Sequence, residues 1–328
     1  MGSAVTTNAR KQAARDHQRS HHVSYTEALR AVTQTSGDLT DRPWPITAAR
    51  IDPLGVDQRF QDALNIPDVA TFDPQPGWQR RSGDRVLRIP VGAPPDASHL
   101  PTTIEIGEHA SILACVGTGG AGKSVALQSI VAGLCAIYPP TRVIVAVGDY
   151  QNCIGSAGSL PPHVKAHRGH HRPEDPPGHW ESWCAYLDDE IDRRATQTRH
   201  DPPELVVVID AVDELLDWQP EVTTTLQRVI DQGPRLGVRL IVSSTRPPAL
   251  LPTGDGRTVS LTCDCVLALR TATAQDSVDV LGSPDAWHLS EDPGYAYLRS
   301  HTGTPDGPIR LFNATEVAYA LGQRLGAG

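Results

Sequence analysis

The chain has 328 residues, a formal net charge of -9, and 39% hydrophobic and 20% charged residues, which suits one large globular domain with additions, or two domains. The acidic balance argues against a general polyanion-binding surface, though not against a local basic patch. No apolar run reaches the roughly 18–20 residues that span a bilayer, the stretch MGSAVTTNARKQAARDHQ lacks the apolar core of a secretory signal, and six cysteines without regular spacing read as reduced thiols of a cytoplasmic protein.

Residues 1–36 are polar and read as a small helical extension. Ser24-Tyr25-Thr26-Glu27 is a capping-box pattern ahead of EALRAVTQ. The basic run ARKQAARDHQRSHH before it suits a solvated arm; a docking or nucleic-acid-contacting module is the alternative. Residues 37–84 lack a strong period and read as a connector with short helices, one around GVDQRFQDAL.

From residue 85 to 328 the pattern is α/β. RVLRIPVG and TTIEIG are short strands. ASILACVG (110–117) is a buried strand, followed by a helix over 122–138. TRVIVAVGD (141–149) is a strand, 180–197 a helix, ELVVVID a strand, TTTLQRVIDQG a helix, and VRLIVSST and VLALRTA two further strands. Near-continuous apolar strands alternating with helices predict a mostly parallel sheet with helices on both faces.

Gly117-Thr118-Gly119-Gly120-Ala121-Gly122-Lys123-Ser124 completes the pattern G-x-x-x-x-G-K-[ST] between a buried strand and a helix. Glycines let the backbone curl so that its N–H groups face phosphate oxygens. The helix that begins there adds the positive end of its dipole. Lys123, one of three lysines in the chain, supplies charge for the β- and γ-phosphates, and Ser124 a hydroxyl for Mg²⁺. ATP with Mg²⁺ is the expected ligand.

In ELVVVIDAVDELL an apolar strand ends in Asp210, which puts a carboxylate at the sheet edge where ligands of open α/β sheets gather, as a second Mg²⁺ ligand. Ala211 follows, and a methyl group can do no base work. Asp213 and Glu214 come next as candidate catalytic carboxylates; Asp213 could reach toward the site if the strand end bends, whereas Glu214 is not an obvious replacement. The five histidines of HVKAHRGHHRPEDPPGH (163–179) favour a solvated loop over a metal site. Cys263 and Cys265 lack a partner pair, and Trp218 and Trp287 read as core or rim residues rather than a peptide groove.

Taken in order, these motifs resemble the FtsK/SpoIIIE ATPase superfamily and, within it, the EccC ATPase modules of type VII (ESX) secretion systems. The likeness covers roughly residues 70–320: Trp78 and LRIPVG, ASILACVGTGGAGKS, GDY, LPPHV, EIDRR, LIVSSTRPP, and then LALR, DSVDVLGSPDAWHL and DPGYAYLR. It implies a RecA-like P-loop core, ATP with Mg²⁺, and subunits that stack in a homo- or hetero-hexameric ring. EccC-type modules bind secretion components or substrates, whereas the DNA-pumping branch moves duplex DNA.

Four departures stand out. Ala211 replaces the glutamate that activates water. Ser244-Thr245-Arg246 stands where Thr-Gln-Arg is usual, so hydroxyls remain, Ser244 among them as a γ-phosphate sensor, and the amide is lost. In GPRLGV the arginine that acts in trans is shifted by one, to Arg235, and QNC replaces a Lys-Gly-Gly after GDY. Binding parts are intact and hydrolysis parts eroded. The expected protein is an ATP-binding module with weak or lost hydrolysis in a type VII secretion-like assembly, without a membrane span of its own but able to sit at the membrane through partners. A DNA translocase and a non-catalytic regulator of a homologous ring are the alternatives.

Overall fold

The computed structural model describes residues 58–95, 100–150, 154, 161–169, 180–197, 202–300 and 303–326. The polar arm over 1–36 and the QNC segment lie outside them. The described residues all belong to one of the chain's two units, Ile51–His170 with Gly178–Gly328.

Ten strands form one sheet. In chain order they are β1 (Leu87–Ala93), β2 (Thr102–Ile106), β3 (Ile112–Val116), β4 (Val143–Asp149), β5 (Val164–Gly169), β6 (Glu204–Asp210), β7 (Val238–Ser244), β10 (Cys265–Leu269), β11 (Tyr295–Arg299) and β12 (Pro305–Leu311). A separate two-stranded ribbon pairs β8 (Leu251–Pro252) with β9 (Thr258–Val259). The sheet order is β2-β1-β12-β11-β10-β3-β7-β6-β4-β5. From β10 to β5 every pairing is parallel, and from β2 to β10 every pairing is antiparallel.

The helices are α1 (Gln58–Leu64), α2 (Gln75–Arg81), α3 (Lys123–Ile137), α4 (Glu181–Thr196), α5 (Val212–Trp218), α6 (Val222–Gln232), α7 (Ala274–Leu281) and α8 (Thr315–Gly326). Alternate residues of the central strands feed two separate cores, which is why these strands read as continuous apolar runs. Val206 and Val208 of β6 belong to the core that also takes in α3, α1 and α8, while Leu205, Val207 and Ile209 belong to the core that takes in α4, α5 and α6. Each such valine, fully buried, contributes about 1.5–3 kcal/mol.

Residues 58–84 pack onto the sheet unit. Phe60 is fully buried edge-on against Phe312, and the Trp78 indole donates to the Cys135 carbonyl at 3.2 Å. The histidine-rich run also departs from a solvated loop. His163 is fully buried beside the Trp78 ring and Val164–Gly169 forms the sheet's edge strand, so its mixed polar sequence is explained by an edge position. Its remaining histidines, from 170 on, lie outside the described residues. Cys263 and Cys265 are free thiols pushed up to about 12 by burial, and among the described residues no cluster suits a metal ion. No described helix is long and apolar enough to cross a membrane.

The parallel strands end along one edge. There β3 leads into the glycine loop, β7 ends at Ser244, β6 at Asp210 and β4 at Asp149.

Candidate functional site

The glycine loop leaves β3 and enters α3 through two left-handed positions, Gly120 (φ 81°) and Gly122 (φ 107°), which an L side chain would strain. Gly117 needs its missing side chain for another reason: a Cβ there would lie 2.9 Å from the Leu269 Cβ. The loop is braced from both sides. Gly117 N donates to the Ser244 carbonyl at 3.1 Å, Thr118 N to the Arg270 carbonyl at 2.8 Å, and Gly294 N to the Ala121 carbonyl at 2.9 Å. Gly119 and Gly120 stay exposed at its crest, facing a cleft bordered by Ser290, Glu291 and Tyr295.

Lys123 is 9% exposed, and its Nζ donates to the carbonyls of Gly117 at 2.9 Å and Thr118 at 3.0 Å. Burial lowers its pKa, against the opposing charges of Asp213, Asp210 and Glu214.

Asp210 lies on the α3 side of the sheet because it continues the Val206, Val208 alternation. Its Oδ2 accepts from the Ser124 hydroxyl at 2.8 Å and its Oδ1 from the Ser243 hydroxyl at 2.5 Å. It is 1% exposed, and burial raises its pKa, opposed by the Ser243 and Ser124 hydrogen bonds. A buried carboxylate in contact with the serine that follows the glycine loop is a donor set that fits Mg²⁺ bound to a nucleotide. Ser124 and Asp210 would hold the ion, and the loop from Gly117 to Lys123 the phosphates.

Ala211 takes φ 54° and ψ 53°, a left-handed conformation that costs a non-glycine residue about 1–2 kcal/mol. Its N–H donates to Ser243 Oγ at 2.8 Å, and α5 starts at once behind it. Ser243 therefore holds both Asp210 and the strained alanine. The sequence pointed to Ser244 instead; among the described residues its hydroxyl accepts from Arg246 N at 3.2 Å, and its carbonyl meets Gly117. Strand alternation carries the missed signal: Ser243 shares the α3 face with Ile241 and Asp210, and Ser244 points the other way.

Asp213 is 1% exposed in the first turn of α5. Its Oδ2 accepts from Thr245 N at 3.1 Å and from the Thr245 hydroxyl, with Arg246 Nε at 3.7 Å. Its Oδ1 is buried with no hydrogen-bond partner among the described residues. Glu214 is half-buried one step on. Asp149 also lies at this edge, fully buried and in register with Asp210 on the neighbouring strand, and its charge also raises the Asp210 pKa. Asp149 Oδ2 accepts from Ile154 N at 2.6 Å.

Arg235 does not join this site. It is exposed on the short 3-10 turn Gly233–Leu236 that precedes β7, at the amino edge of the sheet. That turn is fixed from beneath, by Arg239 Nη1 to the Pro234 carbonyl at 2.9 Å and by buried Arg194 Nη1 to the Leu236 carbonyl at 3.0 Å.

Residues 78–201 match the FtsK/SpoIIIE family. Over 278 residues, 74% of this chain and 21% of the relative, the sequence is 29% identical to the ESX-4 secretion system protein EccC4 of Mycobacterium tuberculosis. Over 294 residues, 81% of this chain and 21% of the relative, it is 27% identical to the ESX secretion system protein EccC of Thermomonospora curvata. The cytoplasmic domain of the Thermomonospora curvata type VII secretion ATPase EccC superposes with a TM-score of 0.65 at 22% identity, covering 82% of this chain and 34% of that one, a likeness of fold. The chain thus spans about a fifth of the length of the relatives it matches.

Proposed function

We propose that this chain, which carries an FtsK/SpoIIIE-family domain and is homologous to the EccC and EssC ATPases of type VII secretion, binds ATP with Mg²⁺ and acts by nucleotide-dependent packing in a type VII secretion-like assembly, with little or no turnover of its own. The observation that carries this reading is the 2.8 Å contact of Ser124 with Asp210, directly followed by Ala211. The two side chains that would hold Mg²⁺ meet each other, and the next residue has no group to take a proton from water. Asp213 is a weak substitute, since Thr245 and Arg246 engage its Oδ2 and its Oδ1 is buried away from solvent.

Homologous ATPase subunits are the partners we propose, in a ring at the cytoplasmic side of a membrane system. Arg235 is compatible with this: it is exposed on a turn fixed by Arg194 and Arg239, away from its own glycine loop, and would be free to meet a neighbouring subunit. The same Ala211 favours a second reading, a non-catalytic module that tunes the ring of a competent homologue.

Affinity capture of type VII secretion components with the full chain, run with Mg-ATP and with Mg-ADP, tests the proposal. Association that changes with the nucleotide supports it. Equal association in both, together with salt-dependent duplex binding lost on deleting residues 1–36, would replace it with a DNA translocase.

A further inference from the structure

We propose that Asp213 sets the phosphate preference of the site: it opposes a γ-phosphate, so the module holds a nucleoside diphosphate at least as tightly as a triphosphate. This rests on reading the glycine loop as a nucleotide site.

A chain of hydrogen bonds places the carboxylate. Thr245 N, at 3.1 Å, and the Thr245 hydroxyl both hold Asp213 Oδ2. Thr245 follows Ser244, whose carbonyl accepts from Gly117 N at 3.1 Å. Gly117 in turn accepts from Lys123 Nζ at 2.9 Å. The carboxylate is thus fixed beside the head of the phosphate loop, on the side where Lys123 ends.

Its charge is poorly neutralised there. Oδ1 is buried without a hydrogen-bond donor among the described residues. Arg246 approaches only Oδ2, at 3.7 Å, and is itself 43% exposed and shared with Asp217 at 3.0 Å. Solvent and the second carboxylate both weaken that pair.

Lys123 is therefore the cation that two anions would share. A γ-phosphate that takes Lys123 brings its charge toward Asp213 where little water screens it. The α- and β-phosphates would lie along the loop with Mg²⁺ at Ser124 and Asp210; the β-phosphate would also meet Lys123, but with less charge facing Asp213, and so would carry less of this penalty. The residue that would relieve the conflict, a neutral donor at this strand end, is Thr245, and its hydroxyl already points at Asp213.

The test is nucleotide affinity of the full chain by titration calorimetry, with Mg-ADP and with the Mg complex of the β,γ-imido analogue of ATP. The variants are wild type, Asp213→Asn, Asp213→Ala and Lys123→Ala. The expected wild-type result is diphosphate binding as tight as triphosphate binding, or tighter. Asp213→Asn should tighten the triphosphate about tenfold and move the diphosphate less than about twofold. Asp213→Ala gives the same direction if the amide does not fold. An unchanged ratio in both variants, with wild type binding both nucleotides, overturns this inference alone. Wild type binding neither nucleotide, as Lys123→Ala is expected to do, overturns the nucleotide reading and the inference with it.

Discussion

The Ser124 hydroxyl and the Asp210 carboxylate meet at 2.8 Å although 86 positions separate them in sequence. One begins the helix after the glycine loop and the other ends a strand two places away across the sheet, with β7 between. Their contact makes a phosphate loop and a buried acid into one site. Ala211 then defines what that site lacks.

Ala211→Glu should restore part of the missing chemistry. The position already takes a left-handed backbone held by Ser243, so the new side chain starts from an anchored turn. Phosphate release should rise by at least about tenfold, short of the roughly 10²–10⁴ that a well-placed base supplies. Unchanged release with nucleotide still bound would locate the limiting loss at Thr245 or Arg235 instead.

Asp210→Asn should separate stability from function. Burial raises the Asp210 pKa, so the folded state binds this proton more tightly than the unfolded state. The charged carboxylate's cost is absent below the unfolded value of 3.8 and complete once pH has passed the raised folded value. At pH 7, in thermal melts without nucleotide, the variant should melt above wild type. Its nucleotide affinity should lose its Mg²⁺ dependence. A lower melting temperature would contradict this account of the buried charge.

Ser243→Ala removes one acceptor and one donor together. It leaves the buried Ala211 N–H unpaired and takes a hydrogen bond from Asp210. The expected loss is about 1–3 kcal/mol of stability by chemical denaturation. Ser244→Ala, by contrast, frees only Arg246 N and should cost well under that. Equal effects would mean that the two serines are not distinguished by face.

The buried histidine beside Trp78 sets an acid limit. Burial pulls the His163 pKa from 6.5 down to about 4, with the Tyr138 carbonyl at 2.7 Å opposing the shift. The unfolded state therefore binds the proton first as pH falls. Stability is complete above 6.5 and declines toward 4, by roughly 3 kcal/mol across that window. His163→Gln should flatten the decline in urea melts at pH 7 and pH 4.5. The same slope in the variant would assign acid sensitivity elsewhere.

Much of this was legible before any coordinates. GTGGAGKS carries its own geometry, because only glycine suits Gly120 and Gly122, and ELVVVID announces a buried strand that ends in an acid. Other parts depend on contacts that local pattern does not encode. Asp213 meets Thr245 across 32 positions, and nothing in DAVDELL predicts that one oxygen would be tied there. Ser243 and Ser244 are identical in type, and only the strand's alternation separates them. Val164–Gly169 is polar along most of its length because it lies at a sheet edge, which is why it reads as loop. The antiparallel half of the sheet, where β1 and β2 join β11 and β12, pairs segments from both ends of the described chain, a long-range choice.

The central claim is that this site holds nucleotide and scarcely turns it over. Phosphate release measured beside nucleotide binding, on wild type and Lys123→Ala, tests it most directly. The account predicts saturable Mg-dependent binding in wild type, lost in Lys123→Ala, with release far below 1 s⁻¹, under the ordinary range of about 1–10³ s⁻¹. Release of about 1 s⁻¹ or faster, abolished by Lys123→Ala, would contradict it.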